Sequence, residues 1–193
     1  MYETFPILNG NIYGVKFQCG QLGHLANIEK PLTMKYQYDK IIHPQIYVNS
    51  LGRSRKLYNF SLQRSQKLGI SQNNTFKTVI MHEIAHILEM QLIIKQYKLD
   101  FNTEDENVKQ DRYDWFCQIS NEERISRIIF QNSYNQPISN KKIKGYSYAT
   151  KDGLYSEVFA EMIASYYGLK NPVKDVILYA EAAHDYINTY VHI

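Results

Sequence analysis

Two histidines and a glutamate, His82-Glu83-Ile84-Ala85-His86, interrupt an otherwise apolar stretch over residues 76–94. On a helix the histidines, at i and i+4, lie one turn apart on the same face. Both rings can then reach one ion, and Glu83 stands where it can address a metal-activated water. That is the chemistry of a zinc protease. Each imidazole gives one neutral nitrogen, the open coordination positions take water or a substrate carbonyl, and the glutamate is the general base. The competing reading is a pair of core histidines in an ordinary buried helix. Val79, Ile80, Met81, Ile84, Ala85, Ile87 and Leu88 do make the segment apolar nearly all round. A buried helix, however, loses about 1–3 kcal/mol for each polar group left unpaired. A divalent ion satisfies the rings and gives the carboxylate a task, so the metal reading is preferred.

A third protein ligand is expected from Ser156-Glu157-Val158-Phe159-Ala160-Glu161-Met162-Ile163-Ala164. Glu157, Ala160, Glu161 and Ala164 share one face of an expected helix that ends near Gly168. The alanines would let this helix approach the histidine helix closely, so that Glu157 binds the ion. Glu161, one turn on, is placed to accept the second ring N–H of a ligand histidine and so fix its tautomer and orientation. The alternative here is an amphipathic helix with two solvated glutamates.

His82-Glu83-x-x-His86 followed by Glu157-Val158-Phe159-Ala160-Glu161 resembles the gluzincin metallopeptidases, and within them the anthrax lethal factor catalytic domain and the clostridial Pro-Pro endopeptidases, whose second motif reads Glu-Phe-Phe-Ala-Glu. The likeness continues through Ser165-Tyr166-Tyr167 and a closing helix with late aromatics, Tyr186 and Tyr190. It implies His82, His86 and Glu157 as zinc ligands and Glu83 as base, and it raises the idea of a delivered toxin. Two departures stand out. The stretch between the motifs is longer than in that family, so a helical insertion over residues 98–145 is expected. The family's catalytic tyrosine would fall on Thr150; Tyr148 and Tyr155 are the nearby candidates, and Tyr148 is preferred because it follows Gly145 in an expected loop.

Composition fits one enzyme domain over residues 1–193, with 44% hydrophobic and 13% aromatic residues. A net charge of +3 is too mild to argue for nucleic acid, and the basic clusters at Arg53-Ser54-Arg55-Lys56 and Lys141-Lys142-Ile143-Lys144 read as solvated turns. The motif itself breaks the longest apolar run, so no membrane span is expected. The first residues have neither a basic nor an apolar signal region, which suits a cytoplasmic protein unless it is secreted or delivered by another route. Cys19 and Cys117, as free thiols or as one disulfide, are read as buried small residues, and His24, His43, His184 and His192 as structural or surface residues. A monomer is favoured.

Strands are expected over residues 11–17, 41–48 and 57–63, and the motif helix from Asn74 or Thr75 to about Tyr97. Capping boxes at Thr103 with Glu106 and at Ser120 with Glu123 would start two helices of the insertion. A loop over the site is expected for residues 132–153, and the last helix should open at Asn171-Pro172. Together these give an α+β, zincin-like fold: a small twisted sheet packed on the motif helix, and a helical C-terminal lobe that supplies Glu157. A peptide or protein substrate would lie extended along the strand at residues 57–63. The expected activity is that of a zinc endopeptidase. The other classes are a non-catalytic zinc-stabilised binding protein, which would have no need of Glu83, and a metal-dependent amidohydrolase acting on a non-peptide substrate.

Overall fold

The computed structural model describes residues 15–18, 26–28, 39–49, 54–67, 75–133 and 154–190. In chain order the elements are β1 (Val15–Gln18), β2 (Ala26–Ile28), α1 (Asp39–Ile42), β3 (Ile46–Asn49), α2 (Arg55–Lys67), α3 (Phe76–Gln96), α4 (Glu106–Asn121), α5 (Arg124–Ser133), α6 (Tyr155–Gly168) and α7 (Lys174–Tyr190).

The 21 residues of α3 form the axis of the molecule. Its start is fixed by a reciprocal box. Thr75 Oγ1 accepts from Thr78 N at 3.1 Å, and Thr78 Oγ1 accepts from Thr75 N at 3.2 Å, a threonine doing what Glu or Gln usually does at that position. Its end is a left-handed turn at Lys98, φ 52°, with Leu99 N donating to Ile94 O at 2.9 Å and the Leu99 side chain buried. Both limits agree with the apolar run read from sequence.

The main partner of α3 is α6, and α7 closes over α5 and α6. Ala85 and Leu88 of α3 and Ala160 and Ala164 of α6 are wholly buried, the small residues allowing close approach. The approach is tightest where α6 ends. A Cβ added to Gly168 would lie 2.2 Å from Thr78 Cγ2, so only glycine lets α6 pass the first turn of α3 at this distance.

The expected α+β class is overturned, because helices of 10 to 21 residues dominate while the strands have only three or four residues each. β3 pairs with β1 in parallel (Val15 with Ile46) and with β2 antiparallel (Ala26 with Val48), giving the order β1-β3-β2. β2 and β3 touch α3, yet α3 is buried chiefly by helices. The strand expected over residues 57–63 is part of α2, and the substrate-binding edge assigned to it falls as well. The physical reason lies in residue type: α2 contains no Val, Ile or Thr. Its straight-chain Lys, Leu, Gln and Arg residues favour helix, whereas its short apolar and aromatic run does not discriminate between the two.

The described part of the insertion, residues 98–133, is largely helical, with its starts displaced. The cap of α4 is Asp105, whose carboxylate accepts from Asn107 N at 2.9 Å and Val108 N at 3.3 Å, rather than Thr103. Ser120 opens no helix: it lies in the last turn of α4, and the break falls at Glu123, whose φ is 50°. Phe116, Ile119, Ile125 and Ile129 are buried, while Trp115 is exposed. The final helix begins at Lys174, later than Asn171-Pro172. Cys117 is buried, and no described helix is long and apolar enough to cross a membrane. Of the loop expected over 132–153, residues 132 and 133 instead end α5; the rest, with Cys19, His24, His192 and the Lys141–Lys144 cluster, lies outside the described residues.

Candidate metal centre

His82 and His86 project from the middle of α3 toward α6, one turn apart as their spacing requires. Glu157, in the first turn of α6, meets them. His82 Nε2 lies 3.2 Å from His86 Nε2 and 3.3 Å from Glu157 Oε2, and His86 Nε2 lies 3.6 Å from Glu157 Oε1. Two nitrogens and a carboxylate thus converge on one point. A tetrahedral ion with arms of about 2.0–2.1 Å has donor-to-donor edges of roughly 3.3 Å; one ligand atom from each of the three residues lies within 4.8 Å of the others, close enough for all three to share one zinc ion. The donor chemistry, imidazole and carboxylate, suits the same ion.

The far side of each ring is also engaged. His82 Nδ1 lies 3.2 Å from Glu161 Oε2, the contact expected from the one-turn spacing of the two acids. His86 Nδ1 lies 3.3 Å from Ser156 Oγ, which donates to Glu89 Oε2 at 2.6 Å. Since the serine proton is committed to Glu89, Ser156 Oγ accepts from His86 Nδ1–H. With both Nδ1 atoms in donor contacts, each Nε2 is the atom presented to the convergence point.

Charge follows from this packing. Burial works to lower the pKa of His82, but hydrogen bonds to Glu157 and Glu161 and the negative charges of Glu161 and Glu83 outweigh it and push the value up to about 10. For Glu157, burial favours the neutral acid. Its hydrogen bonds to His82 and His86, with the charge of the rings, outweigh burial and hold the carboxyl far below the usual range. The Glu157 side chain is 39% exposed, so solvent screens part of this attraction. Without metal, a proton on His82 occupies the place that a cation would take.

Glu83 is only 6% exposed and lies on α3 between the ligand histidines. Tyr148 lies outside the described residues. Tyr155 opens α6 with its ring 5.2 Å from that of Phe130 and beneath the Arg127 guanidinium, also at 5.2 Å, so it is held against α5. His184 sits apart from the triangle in its contacts, stacked on Tyr167 and 2.7 Å from its hydroxyl, while His43 is exposed.

Two members of the site carry no role in the sequence reading. Glu89 follows His86 by three residues inside an apolar run, and that spacing on a buried helix was a usable signal. Ser156 immediately precedes Glu157, but nothing in one dimension links it to a residue 70 positions away. Compared with known proteins, the chain matches no family model and shows no significant similarity to a curated protein or a solved structure.

Proposed function

We propose that the protein is a zinc-dependent endopeptidase of the gluzincin type, with His82, His86 and Glu157 as metal ligands and Glu83 as general base. The observation that carries the reading is the convergence, from two elements far apart in sequence, of two histidine Nε2 atoms 3.2 Å apart on the Glu157 carboxylate, whose two oxygens lie 3.3 and 3.6 Å from them. Glu161, Ser156 and Glu89 support it by orienting the rings. When bound, zinc would supply Lewis acidity toward a substrate carbonyl.

The remaining chemistry belongs to the side chains. Glu83 takes a proton from the attacking water and passes it to the leaving amide nitrogen, so that the amine departs neutral. Its position next to His82 in sequence keeps it on the ligand helix, and its burial limits competition from bulk water. Tyr148 is proposed to donate its hydroxyl proton to the developing oxyanion as a hydrogen bond.

The reading is tested by profiling cleavage sites in a proteome-derived peptide mixture, with the zinc-loaded protein alone and with chelator. Chelator-sensitive cleavage with a consistent site pattern is the expected result. Zinc binding with no peptide cleavage would overturn the peptidase assignment, and turnover of small non-peptide amides alone would replace it with an amidohydrolase.

A further inference from the structure

The helix that carries Glu157 begins without a cap of its own: Leu154 occupies the cap position and offers no side-chain acceptor. The missing acceptor comes from another part of the chain. Glu123, in the turn between α4 and α5, accepts from Tyr155 N at 2.8 Å through Oε2 and from Ser156 N at 3.4 Å through Oε1. These are the first two amides of α6, and the residue after them is the third ligand. The same start is gripped by α5, where Phe130 and Arg127 hold the Tyr155 ring.

The backbone at Glu123 provides an independent observation. Its φ of 50° lies in the left-handed region, just past the end of α4, where glycine is the usual residue because a Cβ is disfavoured. A long acidic side chain at such a position works against local preference, and its only described hydrogen bonds run to α6. Read in sequence, the same glutamate looks like the partner of Ser120 in a capping box; in space it caps a different helix.

We infer that Glu123 is a positioning residue for the metal centre, with α4 and α5 serving as the brace that fixes the register of α6. The cap holds Ser156 against His86 and Glu157 against both histidines, so one carboxylate orients a ligand and the hydrogen-bond partner of a second ligand. The inference rests on the zinc reading of the site and deepens it. It also gives the long segment between the motifs a function: part of it forms the brace for the third-ligand helix.

Glu123→Gly separates local fold from positioning, because glycine relaxes the left-handed turn while removing the carboxylate. Glu123→Gln keeps an oxygen acceptor and loses the charge. Each variant and the parent would be measured for zinc affinity by chelator competition, for the visible spectrum of the Co²⁺ form, and for amide exchange at residues 155–158 in the metal-free protein. The expected result for Glu123→Gly is a cooperatively folded protein with faster exchange at 155–158, an altered Co²⁺ spectrum and zinc affinity reduced by about 10- to 100-fold. Glu123→Gln should recover part of the loss. Parent-like zinc affinity and Co²⁺ spectrum in Glu123→Gly would overturn the inference, even with faster exchange, since the cap would then be structural only. A parent protein that binds neither Zn²⁺ nor Co²⁺ would remove the metal-centre reading itself and the inference with it.

Discussion

Zinc affinity should climb steeply with pH through a range in which an ordinary histidine would leave it flat. In the metal-free protein the His82 pKa is raised to about 10 by Glu157 and Glu161. At pH 7 the ring is therefore protonated, and zinc must displace that proton. With one proton released, apparent affinity rises about tenfold per pH unit below pH 10, and at pH 7 it stands about 10³-fold under its limiting value. A ligand histidine at the ordinary value of about 6.5 would change affinity by only about 10% between pH 7.5 and 8.5. Chelator competition at pH 7.0, 7.5, 8.0 and 8.5, corrected for protonation of the chelator, distinguishes a tenfold step from a flat line. Calorimetry in buffers of different ionisation enthalpy counts the proton directly. Affinity that is level across this range would refute the charge assignment at His82. The stability linkage has the opposite direction. A folded-state pKa above the unfolded value means that the contact with the two glutamates stabilises the metal-free fold fully below about pH 6.5 and fades as pH rises through about 10. The metal-free protein should accordingly lose stability in the alkaline range where the zinc form gains it.

Gly168→Ala should lower stability by about 1–3 kcal/mol through overlap with Thr78, a fall in Tm of roughly 2–12 °C for a chain of this size, readable by calorimetry. Ser156→Ala leaves His86 Nδ1 and Glu89 without their shared hydroxyl and should weaken zinc binding by about 10- to 100-fold; unchanged affinity would remove Ser156 from the site. Tyr148→Phe should keep zinc and reduce peptide turnover by a factor on the order of 10² to 10³, whereas Tyr155→Phe, whose ring is engaged by Phe130 and Arg127, should be near neutral. Steady-state kinetics with a cleaved peptide would reveal a reversal of these two.

The parts of this architecture that were legible in sequence are those set by local spacing. The i, i+4 histidines, the apolar run that surrounds them and the threonine at its start define α3 to within a residue, and Glu157 and Glu161 are one turn apart on a helix ending at Gly168. The fold class was not legible, because aromatic residues near Leu57 and Phe60 look strand-like while the helix-favouring Lys, Gln and Arg around them decide the outcome. Contacts that cross the chain were equally hidden. Glu123 has an adequate local explanation as the partner of Ser120, and only the approach of α6 to the α4–α5 turn assigns its carboxylate to the amides of Tyr155 and Ser156. Ser156 and Glu89 became visible as a pair for the same reason: their 2.6 Å hydrogen bond exists only once α3 and α6 are packed.

The central claim is that a zinc site served by Glu83 hydrolyses peptide bonds, and peptide cleavage by zinc-loaded Glu83→Gln beside the zinc-loaded parent tests it most directly. The amide fills the same buried space but accepts no proton, so the variant should bind zinc as the parent does and lose about 10²- to 10⁴-fold in turnover. Cleavage by Glu83→Gln at the parental rate would contradict the account.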